Sequence, residues 1–382
     1  MSELAASDHA ESLREYCQAG EVRAYGLDNR GPLRRDANGR LAEDILDAYW
    51  RHGFYVFEGV VDTNEIAELR REFARLIAGA PTDSGEALDA QGQPAIGSGF
   101  ARSPFIMVRP LSDPWGGTEL LGGRHAIQMT QPEPEADAPA KVVFIISGMC
   151  QLSEAALRLY GHPELLSIAA GINGDDFVPY NDATFVKPSG LGGSVSWHQD
   201  GVTHWQADDW DEGIHGFNFQ VQLYQCTSAN CLWVVPGTHK EGRIDIKARV
   251  AANGGSEYLS DAVPLLCQPG DVTIANRQVL HGSFANTSEH QRISITFGFH
   301  RYASVLGARG ALSQTADEVY DEQRIDDRSA VLQVAIDARQ QAFPEEKPYT
   351  YQAFTGREER FRWNPTTRDA VIRDYNLKDL SI

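Results

Sequence analysis

The sequence predicts a mainly β domain, a sandwich or barrel, with helices packed outside it. Two observations carry that expectation. Between about Asp182 and Tyr302 the chain runs through ATFVKP, SVSWHQD, FNFQVQLYQC, CLWVVPG, DVTIAN, QVLHGSF and RISITFGFH, short β-rich stretches parted by turn residues. Strands at this spacing indicate packed or closed antiparallel sheets and not βαβ units. Amphipathic helical periods lie on both sides of this region. The chain also lacks a dinucleotide-binding fingerprint and a P-loop, the two common signatures of the α/β alternatives.

In chain order, residues 1–42 are mostly polar, without clear period, and read as a loosely ordered arm with at most one short helix. EDILDAYWRHG sets Ile45, Leu46, Tyr49 and Trp50 on one helical face and stops at Gly53. FYVFEGV follows as a strand. Asp62 and Glu65, three apart, form a capping pattern before a helix with Ile66, Leu69, Phe73, Leu76 and Ile77 on its apolar side. Residues 80–140 are crowded with Gly, Pro, Asp and Ser, as expected of a lid or binding loop. KVVFIISGM is a buried run, and SEAALRLYGHPELLSIAAG reads as helical pieces. After the strand-rich region, SAVLQVAIDARQQAF resumes a helical period. The expected organisation is an arm over 1–42, a domain over 43–310 with a lid insert near 80–140, and a helical extension over 311–382 packed on the same domain.

Composition narrows the function classes. With 42% hydrophobic residues and 16 Phe, 13 Tyr and 7 Trp, the 382-residue chain has ample material for a core. A net charge of −19 repels phosphate backbones and anionic headgroups, which argues against nucleic-acid and membrane-surface partners. No apolar run approaches the roughly 20 residues of a membrane helix. MSELAASDHAESLREY lacks the basic start and apolar stretch of a secretion signal. Cys17, Cys150, Cys226, Cys231 and Cys267 form an odd set without a CxxC pair, which suits reduced thiols and a cytoplasmic protein.

The chemistry centres on His198-Gln199-Asp200 at the end of SVSW. In extended chain, residues i and i+2 point the same way, so His198 and Asp200 can face one point. An imidazole and a carboxylate so placed are two members of the two-His-one-carboxylate set that holds Fe(II) and leaves positions open. His281, in QVLHGSF, offers the third. Beyond it, Arg292 and Ser294 share one side of another strand, a fork and a hydroxyl suited to a carboxylate. An iron centre with a carboxylate clamp nearby points to a 2-oxo acid co-substrate. The H-x-D triplet alone is a weak signal, because a strand His more often packs in a core; the downstream His and Arg-x-Ser strengthen it. A hydrolase or isomerase on a cupin-like barrel, using the same ligands with another ion, is the competing reading, and a vestigial binding protein is a third.

Other residues have plainer readings. His204 and His215 could line the pocket but are read first as loop or surface residues, His239 of PGTH as structural, and Trp197 as packing. Trp205 and Trp210 are placed equally as packing or as cover over a substrate. Asn218, Gln220 and Gln222 make one face of FNFQVQ polar, and that face is assigned equally to water or to a binding wall. Cys226 and Cys231 are read as small hydrophobes.

The residues YWRHGFYVFEGVVDTNEIAELRREF, FVKPSG, WHQD, NCLWVVPGTHKEG and PGDVTIANRQVLHGSFANTSEHQRISITFGFH together resemble the phytanoyl-CoA dioxygenase family of Fe(II)/2-oxoglutarate oxygenases. The motifs stand in family order over about 43–77 and 182–300. One departure is Asn230-Cys231, where the family often has Asn-Gly. The resemblance implies a double-stranded β-helix, the jelly-roll or cupin-like core. It implies His198, Asp200 and His281 on iron(II), Arg292 on the distal carboxylate of 2-oxoglutarate, and Lys187 and Ser294 as contributors to that pocket. The expected partners are molecular oxygen and a small-molecule substrate, with hydroxylation as the outcome and a monomer or homodimer as the assembly.

Overall fold

Runs that alternate apolar and polar residues bury one face on each side, and such runs dominate the middle of the chain. In the computed structural model, which describes residues 6–311 and 317–382, twelve strands lie among the described residues. They are β1 (Arg30–Pro32), β2 (Phe54–Glu58), β3 (Phe105–Val108), β4 (Val142–Ser147), β5 (Val178–Lys187), β6 (Val195–His198), β7 (Gly216–Gln222), β8 (Trp233–Val234), β9 (Val263–Pro264), β10 (Val272–Asn276), β11 (His281–Ser283) and β12 (Arg292–His300). They form an eight-stranded sheet ordered β1-β2-β10-β7-β12-β5-β4-β3 and a four-stranded sheet ordered β6-β11-β8-β9. From β5 onward the chain repeatedly crosses from one sheet to the other. This is the double-stranded β-helix, as expected.

Strand alternation decides what each face meets. On β7, Phe217, Phe219 and Val221 join the main apolar core, and on β12 so do Ile293, Ile295, Phe297 and Phe299. They pack against helices Glu154–Tyr160, Pro163–Asn173 and Glu322–Ala342 on the outer side of the large sheet. Each such phenylalanine or isoleucine stabilises the fold by about 1.5–3 kcal/mol. The intervening residues, Asn218, Gln220 and Gln222 on β7 and Arg292 and Ser294 on β12, therefore face the space between the sheets. A second apolar cluster, centred on Trp197, Trp233, Val234 and Phe284, covers the small sheet from outside.

Several local signals behave as read. Helix Glu43–His52 ends at Gly53 with φ 83, a left-handed cap. Asp62 caps Thr63–Ala78, its side chain accepting from the Asn64 amide at 2.7 Å. Glu65 does not complete the capping pattern; its carboxylate pairs with Arg339 at 2.8 Å. Three differences stand out. The first 42 residues hold a 20-residue helix, Ala6–Tyr25, not a loose arm. That helix buries Leu13, Cys17 and Ala24, and Tyr16 stacks on Trp233 with ring centroids 4.4 Å apart. Arg30–Pro32 then adds to the large sheet in parallel with β2. Third, the 80–140 stretch is not all loop, since it supplies β3.

Candidate metal centre

The end of β6 and the start of β11 are paired, His281 opposite His198. The chain leaves β6 at His198 and turns. The Asp200 amide donates to the Arg277 carbonyl at 2.8 Å, which fixes the carboxylate back over the two imidazoles. Ligand atoms of His198, Asp200 and His281 all lie within 4.8 Å of one another, and all three residues are buried. His198 Nε2 is 3.7 Å from Asp200 Oδ1, and His281 Nε2 is 3.9 Å from Oδ2.

The tautomers are set from behind. His198 Nδ1 lies 2.9 Å from the Ser196 carbonyl and His281 Nδ1 2.8 Å from the Val279 carbonyl. A carbonyl can only accept, so each Nδ1 carries the proton and each Nε2 presents a lone pair to the centre. Burial pushes both imidazoles below their ordinary pKa, His198 farthest, keeping them neutral and able to ligate. Asp200 behaves oppositely. Burial works against its charge, but the guanidinium of Arg124, with that of Arg277, outweighs it and brings its pKa down to about 2. Two neutral nitrogens and one carboxylate around an open point are the donor set of a divalent ion, and the residues present fit one.

A second polar site lies farther along the same interior. Arg292, 2% exposed, donates through Nε to Ser294 Oγ at 2.7 Å, through Nη2 to Gln220 Oε1 at 3.2 Å and through Nη1 to the Asn230 carbonyl at 3.3 Å. Ser294 Oγ in turn donates to Gln222 Oε1 at 2.5 Å. No carboxylate pairs with Arg292 among the described residues. Lys187 sits opposite Arg292 in the β5–β12 register. Its amine donates to the Phe284 carbonyl at 2.6 Å, and burial, then the charge of Arg292, pushes its pKa well down. Arg292 and Ser294 thus form one unit, while Lys187 stands beside it and is turned to the backbone.

A profile of the phytanoyl-CoA dioxygenase family matches residues 49–294. The chain belongs to the phytanoyl-CoA dioxygenase family. Every residue singled out above for the metal and carboxylate sites falls within that match. Phytanoyl-CoA dioxygenase 1 of Oryza sativa subsp. japonica is 29% identical over 117 residues, covering 29% of this chain and 40% of that protein. Phytanoyl-CoA dioxygenase domain-containing protein 1 of Rattus norvegicus is 29% identical over 99 residues, covering 23% and 34%. This chain therefore spans less than half the length of either relative. Among solved structures, EctD from S. alaskensis with 2-oxoglutarate and 5-hydroxyectoine has 19% identity and a TM-score of 0.48, over 72% of this chain and 81% of that one.

The remaining residues sort by contact. The polar face of β7 turns inward: Asn218 Nδ2 donates to Asp200 Oδ2 at 3.0 Å and Gln220 reaches Arg292. His215 is not a surface residue. It is 2% exposed, stacked on His204 at 4.0 Å and held by Ser304 Oγ at 2.9 Å. His239 is structural, its Nε2 3.0 Å from the Trp50 carbonyl. Trp197 packs outside the small sheet and Trp210 is buried, while Trp205 lies under the Arg243 guanidinium, 4.0 Å from its ring centroid. Cys226, Cys231 and Cys267 are buried free thiols.

Two residues beside the triad have no counterpart in the sequence reading. Arg124 Nη1 lies 2.6 Å from Asp200 Oδ1. His125 is wholly buried, its ring 4.2 Å from that of His198. Burial brings the His125 pKa down to about 3, so it too is neutral. Both come from an aperiodic stretch, and nothing in GGRH marks it as a partner of a motif 74 residues away.

Proposed function

We propose that this chain is an iron(II)- and 2-oxoglutarate-dependent dioxygenase that hydroxylates a C–H bond of a small organic substrate, releasing succinate and CO2. The observation that carries the reading is a buried guanidinium, Arg292, bonded only to neutral acceptors and facing the same interior as a three-ligand cluster able to hold a metal. A permanently charged group held without a counter-ion is an anion receptor in waiting.

His198, Asp200 and His281 would hold the ion, and Arg292 with Ser294 would receive the distal carboxylate of 2-oxoglutarate. Lys187 adds positive potential near that carboxylate or, when neutral, only shape. When bound, iron with 2-oxoglutarate and molecular oxygen supplies the oxidation of the C–H bond. The chain's own residues do the positioning. The Ser196 and Val279 carbonyls fix the two imidazoles, Asn218 steadies Asp200, and Gln220 and Gln222 orient Arg292 and Ser294. A hydrolase or isomerase using the triad alone would have no use for this receptor. Among the described residues no helix is long and apolar enough to cross a membrane. The free cysteines and the acidic surface support a cytoplasmic enzyme without nucleic-acid or membrane partners, working as a monomer or homodimer.

The test is succinate release from 2-oxoglutarate in the presence of Fe(II), screened over candidate substrates, together with metal content. His198→Ala and His281→Ala should lose bound metal and turnover, since even a lost supporting contact weakens such sites about 10–100-fold. Arg292→Ala should raise the 2-oxoglutarate requirement roughly 10–100-fold and leave metal binding intact, as expected for loss of a charged hydrogen bond. Metal retained in full by both histidine variants, or wild-type protein that consumes no 2-oxoglutarate, would overturn the reading.

A further inference from the structure

The cations lining this interior outnumber the anions so far assigned to them. Arg124 belongs to the irregular stretch between β3 and β4. Just before it, Leu121, Gly122 and Gly123 have φ of 52, 73 and 68. Three left-handed residues in succession turn the chain sharply, and glycine tolerates this where other residues strain. Beyond the turn, the Arg124 side chain is 12% exposed and Nη1 meets Asp200 Oδ1, while Nε is buried without a hydrogen-bond partner. Asp200 is its one acidic partner among the described residues. Asp200 Oδ2 is already taken by Asn218.

Metal loading alters this balance. The carboxylate carries one negative charge, and a divalent ion on the triad more than offsets it. Arg124 then shares its counter-ion with a stronger cation a few ångströms away. A dianionic co-substrate received by Arg292 would not restore neutrality. Counting only the ion, Asp200, Arg124, Arg292 and that dianion, one positive charge remains in a nearly closed space, which is costly unless an anion enters.

We propose that Arg124 is the substrate's carboxylate receptor, and that the primary substrate is an organic acid. Its carboxylate binds Arg124 once the metal has loosened Arg124 from Asp200. The inference rests on the metal and co-substrate assignments above. It makes Arg124 a specificity-determining residue, and it makes anion binding depend on metal.

Acetate and its neutral isostere acetamide test this by calorimetric titration into protein loaded with Zn(II) and 2-oxoglutarate, and into metal-free protein. Acetate should bind the loaded wild type about tenfold or more tightly than acetamide, the effect of one charge-assisted hydrogen bond. Metal-free protein, with Arg124 held by Asp200, should bind acetate about tenfold more weakly. Arg124→Gln, compared at saturating zinc because it also removes a supporting contact of Asp200, should erase the preference for acetate with 2-oxoglutarate affinity unchanged, and Arg124→Lys should keep part of it. Equal binding of acetate and acetamide by the loaded wild type overturns the proposal. So does acetate binding that survives Arg124→Gln, which would place the anion on the metal alone. A loss of 2-oxoglutarate affinity in Arg124→Gln matching that for acetate would assign Arg124 to the co-substrate and also overturn it. Failure of the wild type to bind zinc or 2-oxoglutarate is a separate result, which removes the functional reading and this proposal with it.

Discussion

On the proposed triad, Asp200 decides which ligands a metal can accept. Its carboxylate is buried, ionised and held from two sides by Arg124 and Asn218. A carboxylate in that place occupies one coordination position and sets a negative charge beside the ion, both of which disfavour a halide there. The enzyme should therefore give oxidised, unhalogenated product even in high chloride or bromide. Mass spectrometry of the product with halide present checks this, and a halogenated main product would remove Asp200 from the metal. Gln199, between the two ligands, shows how the strand end is locked. Its amide donates to the Gly242 and Gln278 carbonyls at 2.9 and 2.8 Å, and its oxygen accepts from the Ile244 amide at 2.8 Å. The H-x-D spacing was legible because two-residue alternation is local. The partners of Gln199 lie more than 40 residues away, and no spacing rule reaches them.

Among the elements, helix Glu322–Ala342 ties the C-terminal extension to the rest. Its Arg339 pairs with Glu65 of Thr63–Ala78 at 2.8 and 3.2 Å and with Glu346 at 2.5 and 3.1 Å. The side chains of Arg339 and Glu65 are only 5% and 7% exposed. We propose that residues 311–382 fold as part of the same domain as 43–310, and this pair supplies the test. Arg339→Ala leaves Glu65 buried without its cation and should cost about 3–5 kcal/mol. Glu65→Ala should cost less, because Arg339 keeps Glu346. Urea unfolding should show one transition moved as a whole; a variant that melts the helix alone, leaving a second unshifted transition, would separate the two units. Packing here is close. A Cβ on Gly161 would stand 2.4 Å from the Ala335 backbone, so Gly161→Ala should also destabilise, by about 1–3 kcal/mol.

At the scale of the whole molecule, buried histidines set the acid limit. Burial lowers the pKa of His9, His204 and His239 to about 4 and of His162 and His215 to about 3. In the unfolded chain each takes a proton near pH 6.5. Between those limits the unfolded state binds more protons than the folded one, so stability is full above about pH 6.5 and falls as the pH drops toward 4. His162 isolates one contribution. It is 5% exposed, caps Pro163–Asn173 by accepting from the Glu164 amide at 3.2 Å, and has Arg339 nearby to repel a proton. His162→Asn keeps a capping oxygen and removes the titration. It should flatten the stability–pH slope between pH 4 and 6 by about 1.4 kcal/mol per unit. Urea midpoints across that range give the slope; an unchanged slope would mean His162 titrates in the folded state as it does in the unfolded chain.

The sequence by itself determined β2 and most strands after Asp182, the caps at Gly53 and Asp62, the shared side of His198 and Asp200 and the Arg292–Ser294 unit, since each rests on a pattern a few residues long. The helix Ala6–Tyr25 escaped it because Leu13, Cys17 and Ala24 are too sparse to mark an apolar stripe; its cover comes from Trp233 and Tyr258, more than 200 residues later. Only the tertiary structure turned Asn218 and Gln220 inward, where a polar strand face alone is equally suited to water. It also decided that Arg124 and His125 close over the triad. Their stretch has no period of its own, and its path is fixed by contacts with Asp200, His198 and Ser196 that exist only after the barrel has brought distant strands together.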